Sequence, residues 1–347
     1  MKLAARVVAV GLIGLVACGP RTPSDSGVAV DAAVIDALDE PALDAPPGAD
    51  VVTPDASSQD ASATDASGCR GAGPPRSTLD LRYHAIAGVD PNLLSLDLYL
   101  PSLAEGCAPP PLVVYVHGGG WTVGDKRSQI ATKVAYFAAE GVAFASVNYR
   151  LSPSRTMATG VQYPTHNQDV ARAIAWLRER AGMYRYRAER ITLFGHSAGA
   201  GIATLVGTDP QFLSEHGRTL ADLSCVASLD TEAYDVASQI AEGGSSETIY
   251  RNAFGSDPMV WTRASPLLNG TLRASNRLPP FLVVTRGAAT RRALSQRFVD
   301  AINAAGSMAT VHTADPLTHE GVNDAIGDRS DAVVMPVFGP FIERCAR

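Results

Sequence analysis

The chain reads as an α/β protein built on a mostly parallel sheet with helices on both faces. Three observations lead there. Short apolar runs of the kind that form buried strands recur at residues 112–116, 142–147, 191–194, 226–229 and 281–285. Stretches with helical periodicity separate them. Two glycine-bearing turns, His117-Gly118-Gly119-Gly120-Trp121 and Gly195-His196-Ser197-Ala198-Gly199, each follow a strand run and lead into a helical pattern.

The first quarter stands apart from that body. Lys2 and Arg6 precede an apolar run over 7–17, too short to cross a bilayer as a helix and of the length of a secretory signal core. It closes on Leu15-Val16-Ala17-Cys18, which resembles a bacterial lipobox. That resemblance implies cleavage before Cys18, lipid on Cys18 and attachment to the cell envelope. Residues 19–68 hold no aromatic residue and carry nine Asp and one Glu against a single Arg. With nothing to build a core, this stretch is expected to be a disordered acidic spacer. The expected division is therefore signal 1–17, lipidated Cys18 and tether 18–75, and folded domain 76–347.

Charge is concentrated in the same place. The whole chain is at −6; with +2 in the leader and −9 in the spacer, the remaining residues come to about +1. A nearly neutral body with no basic cluster offers no nucleic-acid surface. No metal-ligand spacing and no Gly-x-Gly-x-x-Gly signature is present, so neither a metal nor a cofactor is expected.

Within the body, residues 79–86 and 93–100 alternate apolar and polar around Gly88, Asp90 and Pro91, the pattern of a β-hairpin. Residues 112–116 (Leu-Val-Val-Tyr-Val) form a buried strand with the glycine loop at its carboxyl end. A helix over 130–140, ended by Gly141, leads to the strand at 142–147. Val170, Ile174 and Leu177 mark a helix over 165–181. The strand at 191–194 enters the serine turn, and Ile202, Ala203 and Val206 continue as a helix. Strands at 226–229, 281–285 and 310–313 alternate with helices at 291–305 and 331–344. Residues 231–279 make a long excursion between strands. In such sheets, ligands gather at the carboxyl ends of the strands, where both glycine motifs fall.

The chemistry these motifs suit is attack on an acyl carbon. A serine hydroxyl needs a sharp exposed turn and a base to become nucleophilic, and Gly195 and Gly199 make room for that turn around Ser197. The amides of Gly119, Gly120 and Ala198 are the candidate oxyanion donors. Taken in order, the hairpin, the HGGGW and GHSAG strings, Asn148-Tyr149-Arg150-Leu151 and the late His319 resemble an α/β-hydrolase with an eight-stranded sheet. Within that fold the chain resembles carboxylesterases of the hormone-sensitive-lipase, arylformamidase and bacterial feruloyl-esterase-like type.

The resemblance implies that His319, six residues past the last strand, is the base. His312, within the strand, is the rival. It also implies that His117 anchors the glycine loop; the ring of His196, the neighbour of the serine in sequence, is expected to point elsewhere. The pattern's usual acid, after the strand at 281–285, is missing: the loop reads Arg286-Gly287-Ala288-Ala289-Thr290-Arg291. Asp230, at the end of the preceding strand, ranks first as its replacement, with Asp235 and Glu320 behind it. Trp121, Tyr149, Tyr250 and Trp261 are candidate walls of the substrate pocket.

The fold also suggests how the cysteines of the body pair. It places Cys69, Cys107, Cys225 and Cys345 at the end of the sheet away from the serine, which favours Cys69–Cys107 and Cys225–Cys345 among the three possible connectivities. The expected activity is hydrolysis of uncharged aryl or short-acyl esters, free or linked to polysaccharide. An amidase of the arylformamidase kind and a degenerate hydrolase that only binds a partner are the alternatives. The membrane is expected to be a partner only through the lipid.

Overall fold

Period-two alternation at the start of the body gives two antiparallel strands, β1 (Arg76–Arg82) and β2 (Ser95–Leu100), joined through a 3-10 turn over Pro91–Leu94 that Asp90 caps. The computed structural model describes residues 69–153, 160–273 and 277–346, all within one unit, Ala63–Arg347. The leader, Cys18 and the spacer up to residue 68 lie outside the described residues.

β1 starts and stops earlier than the 79–86 expected. Its register slips between Thr78 and Leu81, where Asp80 takes a positive φ of 57° and donates its N–H to Asp97 Oδ1 at 2.7 Å. The bulge turns Leu79 outward, 48% exposed on the sheet edge.

The remaining elements alternate. β3 (Pro111–Val116) leads to α1 (Ala131–Ala139), then β4 (Ala143–Val147), α2 (Thr165–Glu179) and the single turn α3 (Ala181–Tyr184). β5 (Arg187–His196) runs into α4 (Ala198–Thr208), followed by the short α5 (Pro210–Ser214) and β6 (Leu223–Leu229). The excursion after β6 holds α6 (Val236–Ala241), α7 (Gly244–Phe254) and α8 (Pro258–Arg263). β7 (Phe281–Thr285), α9 (Ala289–Ala304), β8 (Ala309–Thr313), α10 (His319–Ala325) and α11 (Met335–Ala346) complete the chain.

The eight strands form one sheet in the order β1-β2-β4-β3-β5-β6-β7-β8, parallel from β4 to β8 with β2 antiparallel to both its neighbours. Central strands covered on both faces must be apolar throughout, and β3 shows why the Leu-Val-Val-Tyr-Val run has no polar phase. Leu112, Val114 and Val116 pack on one side with Ile174, Leu193 and Ile202. Val113 and Tyr115 pack on the other with Phe137, Phe194 and Phe338. This is the α/β-hydrolase sheet.

Both disulfides join the connectivity expected. Cys69 bonds Cys107, and Cys225 at β6 bonds Cys345 in α11. Among the described residues, no helix is long and apolar enough to cross a membrane.

Candidate active site

Ser197 sits between the last residue of β5 and the first of α4, with φ 55° and ψ −121°. A non-glycine residue held there costs roughly 1–3 kcal/mol, a strain typical of functional turns. Two backbone bonds hold it, Ser197 N–H to Leu229 C=O at 2.9 Å and Gly201 N–H to Ser197 C=O at 3.1 Å. The flanking glycines are required by contact. A Cβ on Gly195 would lie 2.3 Å from the Gly199 carbonyl oxygen, and one on Gly199 would lie 2.2 Å from that of Val116. The serine is thus pushed out of the sheet's end, half-buried, on the N-terminus of α4.

The glycine loop leaves β3 beside it. His117 is 2% exposed, its ring stacks on Tyr149 at 4.5 Å, and its Nδ1 donates to the Gly118 carbonyl at 2.8 Å. The Tyr149 hydroxyl donates to the His117 carbonyl at 3.0 Å. His117 therefore anchors the loop. Gly119 adopts φ 106° and accepts at its carbonyl from the N–H groups of Thr122 and Val123. A Cβ on Gly118 would lie 3.1 Å from Ser197 Cβ, so the loop presses directly on the serine turn. Among the described hydrogen bonds, none takes up the N–H of Gly119, Gly120 or Ala198.

His319 is the first residue of α10, whose N-cap is Thr318. Its Nδ1 lies 2.6 Å from Asp230 Oδ2. An ionised carboxylate only accepts, so the proton is assigned to Nδ1 and Nε2 is left with its lone pair free. Asp230 is fully buried, follows β6 at φ 55°, and donates its backbone N–H to the Val284 carbonyl at 2.8 Å.

Two guanidinium groups share that carboxylate. Arg286 Nε stands 2.7 Å from Oδ2, and Arg291 Nη2 stands 2.8 Å from Oδ1 while donating to the Asp230 backbone carbonyl at 3.0 Å. Burial pushes the Asp230 pKa up, but the His319 hydrogen bond, then Arg291 and Arg286, outweigh it and hold the carboxyl below its usual range.

Among the described hydrogen bonds, neither rival carboxylate reaches the His319 ring. Asp235 caps α6 by accepting from Ser238 N–H at 3.0 Å, and Glu320 is exposed. His312 remains in β8.

His196 departs from expectation. Its ring turns toward the site, 4.5 Å from that of His319, and Nε2 donates to the His319 backbone carbonyl at 2.9 Å. Burial first, and the His319 ring second, push its pKa down to about 3, so it is neutral. The aromatic candidates also differ from an open wall. Trp121, Tyr149 and Tyr250 are 4%, 0% and 7% exposed, and Trp121 packs edge-on against Tyr250 and Phe254. Trp261 donates Nε1–H to the Gly255 carbonyl. Trp121 thereby joins the glycine loop to α7, and Trp261, partly buried, joins α8 to the end of α7. The exposed apolar side chains at the loop are Val123 and Ile249, 59% and 41% exposed. A cavity of about 150 Å³ lies beside the loop, bounded by Tyr115, His117, Gly118, His196, Glu320 and Asn323.

Arg286 and Arg291 are the functional candidates that sequence reasoning passed over. The available signal was the loop itself: where a carboxylate was sought, two arginines stand. His196, Asp230 and His319 offer ligand atoms within 4.8 Å of one another, a spacing a metal could use. His319 Nδ1 and the Asp230 carboxylate are committed to each other, His196 Nε2 is committed to a carbonyl, and two guanidinium ions already match the carboxylate, so the set does not suit a dication.

The fold and this arrangement define the chain as an α/β-hydrolase by architecture. Residues 96–237 match the model of the BD-FAE family. Esterase LipQ of Mycobacterium tuberculosis is 29% identical over 248 residues, which are 68% of this chain and 56% of that protein. Kynurenine formamidase avaC of Aspergillus versicolor is 35% identical over 108 residues, 28% of this chain and 36% of that one. The chain thus spans less than two thirds of either relative. The crystal structure of esterase B from Lactobacillus rhamnosis superposes with a TM-score of 0.62 at 21% identity, covering 80% of this chain and 86% of that one.

Proposed function

We propose that this protein is a serine carboxylesterase, held at a bacterial cell envelope by lipid on Cys18. The observation that carries the activity is the 2.6 Å bond from His319 Nδ1 to Asp230 Oδ2, set beside a strained serine turn and a loop of uncommitted amides. Ser197 Oγ attacks the ester carbonyl as His319 Nε2 takes its proton. Asp230 holds the imidazole in the right tautomer and stabilises its charge. The amides of Gly119, Gly120 and Ala198 receive the oxyanion. His319 then returns the proton to the leaving alcohol, and water releases the acyl group by the same steps in reverse.

The substrates are uncharged aryl or short-acyl esters. The side chains exposed at the glycine loop, Val123 and Ile249, are aliphatic. Amide cleavage is the second reading, favoured by the 35% identity to a kynurenine formamidase. The same machinery serves both bonds. Against a purely binding role stands the Asp230 carboxylate at 2.6 Å from His319 Nδ1, which supports Asp230 as the acid that the loop after β7 lacks.

The test uses residues 69–347. Wild type releases nitrophenol from a short-chain ester and is labelled on Ser197 by a fluorophosphonate, whereas Ser197→Ala does neither. Full turnover by the alanine variant would reject the mechanism. A panel of aryl esters, acetylated xylan and formyl amides then ranks the substrates. For the anchor, palmitate labelling of the full chain disappears in Cys18→Ser; persistent labelling overturns it.

A further inference from the structure

The carboxylate that holds His319 is itself held by arginine on both sides, and the three contacts are not equivalent. Oδ2 of Asp230 takes His319 Nδ1 at 2.6 Å and Arg286 Nε at 2.7 Å, so base and guanidinium compete for the same oxygen. Oδ1 faces Arg291, whose other amino group reaches Glu232 Oε2 at 2.6 Å. The cluster therefore contains two carboxylates and two guanidinium ions, and it balances without help from the imidazole.

The backbone gives the arginine a task. Asp230 is strained at φ 55° and comes from the end of β6, while Arg286 follows the last residue of β7, the neighbouring strand. The Arg286 loop is in turn joined to the connection that leads to His319. Gly287 donates its N–H to Asp315 Oδ1 at 2.9 Å, and Arg292 pairs with the other oxygen of Asp315 at 3.0 Å. One short loop thus touches both the acid and the segment carrying the base.

We propose that Arg286 is a positioning residue of the site, which fixes the Asp230 carboxylate with Oδ2 toward His319 and tempers the negative charge the imidazole feels. The inference rests on the serine-hydrolase reading above. The charged and titratable groups around the pair are Arg286 after β7, Arg291 on α9, Glu232 and, beyond it, Glu242 in the excursion, His196 at the end of β5, and Glu320 on α10. Only Arg286 shares an oxygen with His319. Removing its charge leaves Oδ2 to act more fully on the positive charge the ring gains when it takes the serine proton, and the acid limb of the activity profile reports that change.

The experiment follows the pH dependence of fluorophosphonate labelling of Ser197, and of ester turnover, in wild type, Arg286→Gln and Arg286→Lys. The glutamine variant is expected to lose about 10–100-fold in rate with KM held within about twofold, and its acid limb is expected to move up by about one pH unit. Lysine, which restores the charge, returns the limb to its wild-type place. Labelling at the wild-type rate with an unmoved limb in Arg286→Gln overturns the proposal. A slower rate with an unmoved limb overturns it too, because a merely loosened scaffold behaves that way. Should the glutamine variant fail to fold, Arg286→Met keeps the aliphatic stem and is read identically. Failure of the parent reading looks different: wild type itself is then not labelled at Ser197.

Discussion

The ring of His196 lies 4.5 Å from the ring of His319, and its Nε2–H is bonded at 2.9 Å to the backbone carbonyl of the same residue. The residue before the proposed nucleophile therefore props the residue that carries the proposed base. The bond spans the gap between β5 and the start of α10, a helix of seven residues. His196→Phe keeps an aromatic ring of similar size and removes the donor. Loss of one hydrogen bond at a part-buried carbonyl costs about 0.5–1.5 kcal/mol. Urea unfolding should register a loss in that range, and kcat on a nitrophenyl ester should drop about tenfold while KM stays near wild type.

Asp230→Asn tests the acid more severely. The amide cannot stabilise an imidazolium, and it can reverse the His319 tautomer by donating to Nδ1. A fall in kcat of about 10³–10⁴-fold is expected, as for loss of the carboxylate in a Ser-His-Asp triad. The change also leaves Arg286 and Arg291 facing a neutral group, so the variant melts at lower temperature. Circular dichroism at the assay temperature separates the two effects. A rate within tenfold of wild type, in a folded protein, would remove Asp230 from the mechanism.

How far the sequence disclosed this site depends on what each residue has to satisfy. Gly195, Ser197 and Gly199 were legible because a turn that tight admits few residue types, whatever packs around it. The Leu-Val-Val-Tyr-Val run of β3 was legible because a strand covered on both faces has no polar phase. Asp230 could be ranked first, ahead of Asp235 and Glu320, because it ends the strand before the empty loop, a place from which a carboxylate can reach the late histidine in the fold the chain resembles. The guanidinium pair on Asp230 could not be read in advance: Arg286 and Arg291 lie 56 and 61 residues away and meet it only through the β6–β7 pairing. The bulge at Asp80 was equally hidden, because it answers to Asp97 on the neighbouring strand.

Gly119→Ala should disable the oxyanion loop without touching Ser197, His319 or Asp230. The position requires φ 106°, and an added Cβ would stand 2.0 Å from the Val123 carbonyl oxygen. The loop must move, and the amides of Gly119 and Gly120 move with it. Loss of one oxyanion donor costs about 10²–10³-fold in kcat. Pre-steady-state kinetics should place the loss in the acylation step. Unchanged acylation would mean that the oxyanion is held elsewhere.

The two disulfides are expected to matter unequally. Cys69–Cys107 closes a separation of 38 residues and Cys225–Cys345 one of 120, which in the chain-entropy account correspond to about 4 and 5 kcal/mol. Cys225–Cys345 also ties a central strand to the last helix. Paired serine substitutions should lower the unfolding free energy more for 225/345 than for 69/107, measured by urea titration with the other bridge intact.

Acid should weaken the fold well above the range in which carboxylates titrate. His166 and His196 are 1% and 2% exposed, and burial drives both pKa values down to about 3, with Arg150 adding to the effect at His166 and His319 at His196. In the unfolded chain both titrate near 6.5. Between these limits the unfolded chain binds protons that the folded chain refuses, so stability declines as pH falls from about 6.5 toward 3 and is level above. Each of the two histidines then contributes about 2 kcal/mol to the loss between pH 7 and pH 5. His84, His117 and His216 are shifted the same way and steepen the slope. His166 offers the cleaner test, since among the described residues its Nε2 bonds the Ser152 hydroxyl alone, at 2.8 Å, away from the proposed catalytic groups. Urea unfolding of His166→Gln at both pH values should show a loss smaller than that of wild type by about 2 kcal/mol, and an equal loss in the two proteins would show that His166 takes up its proton in the folded state.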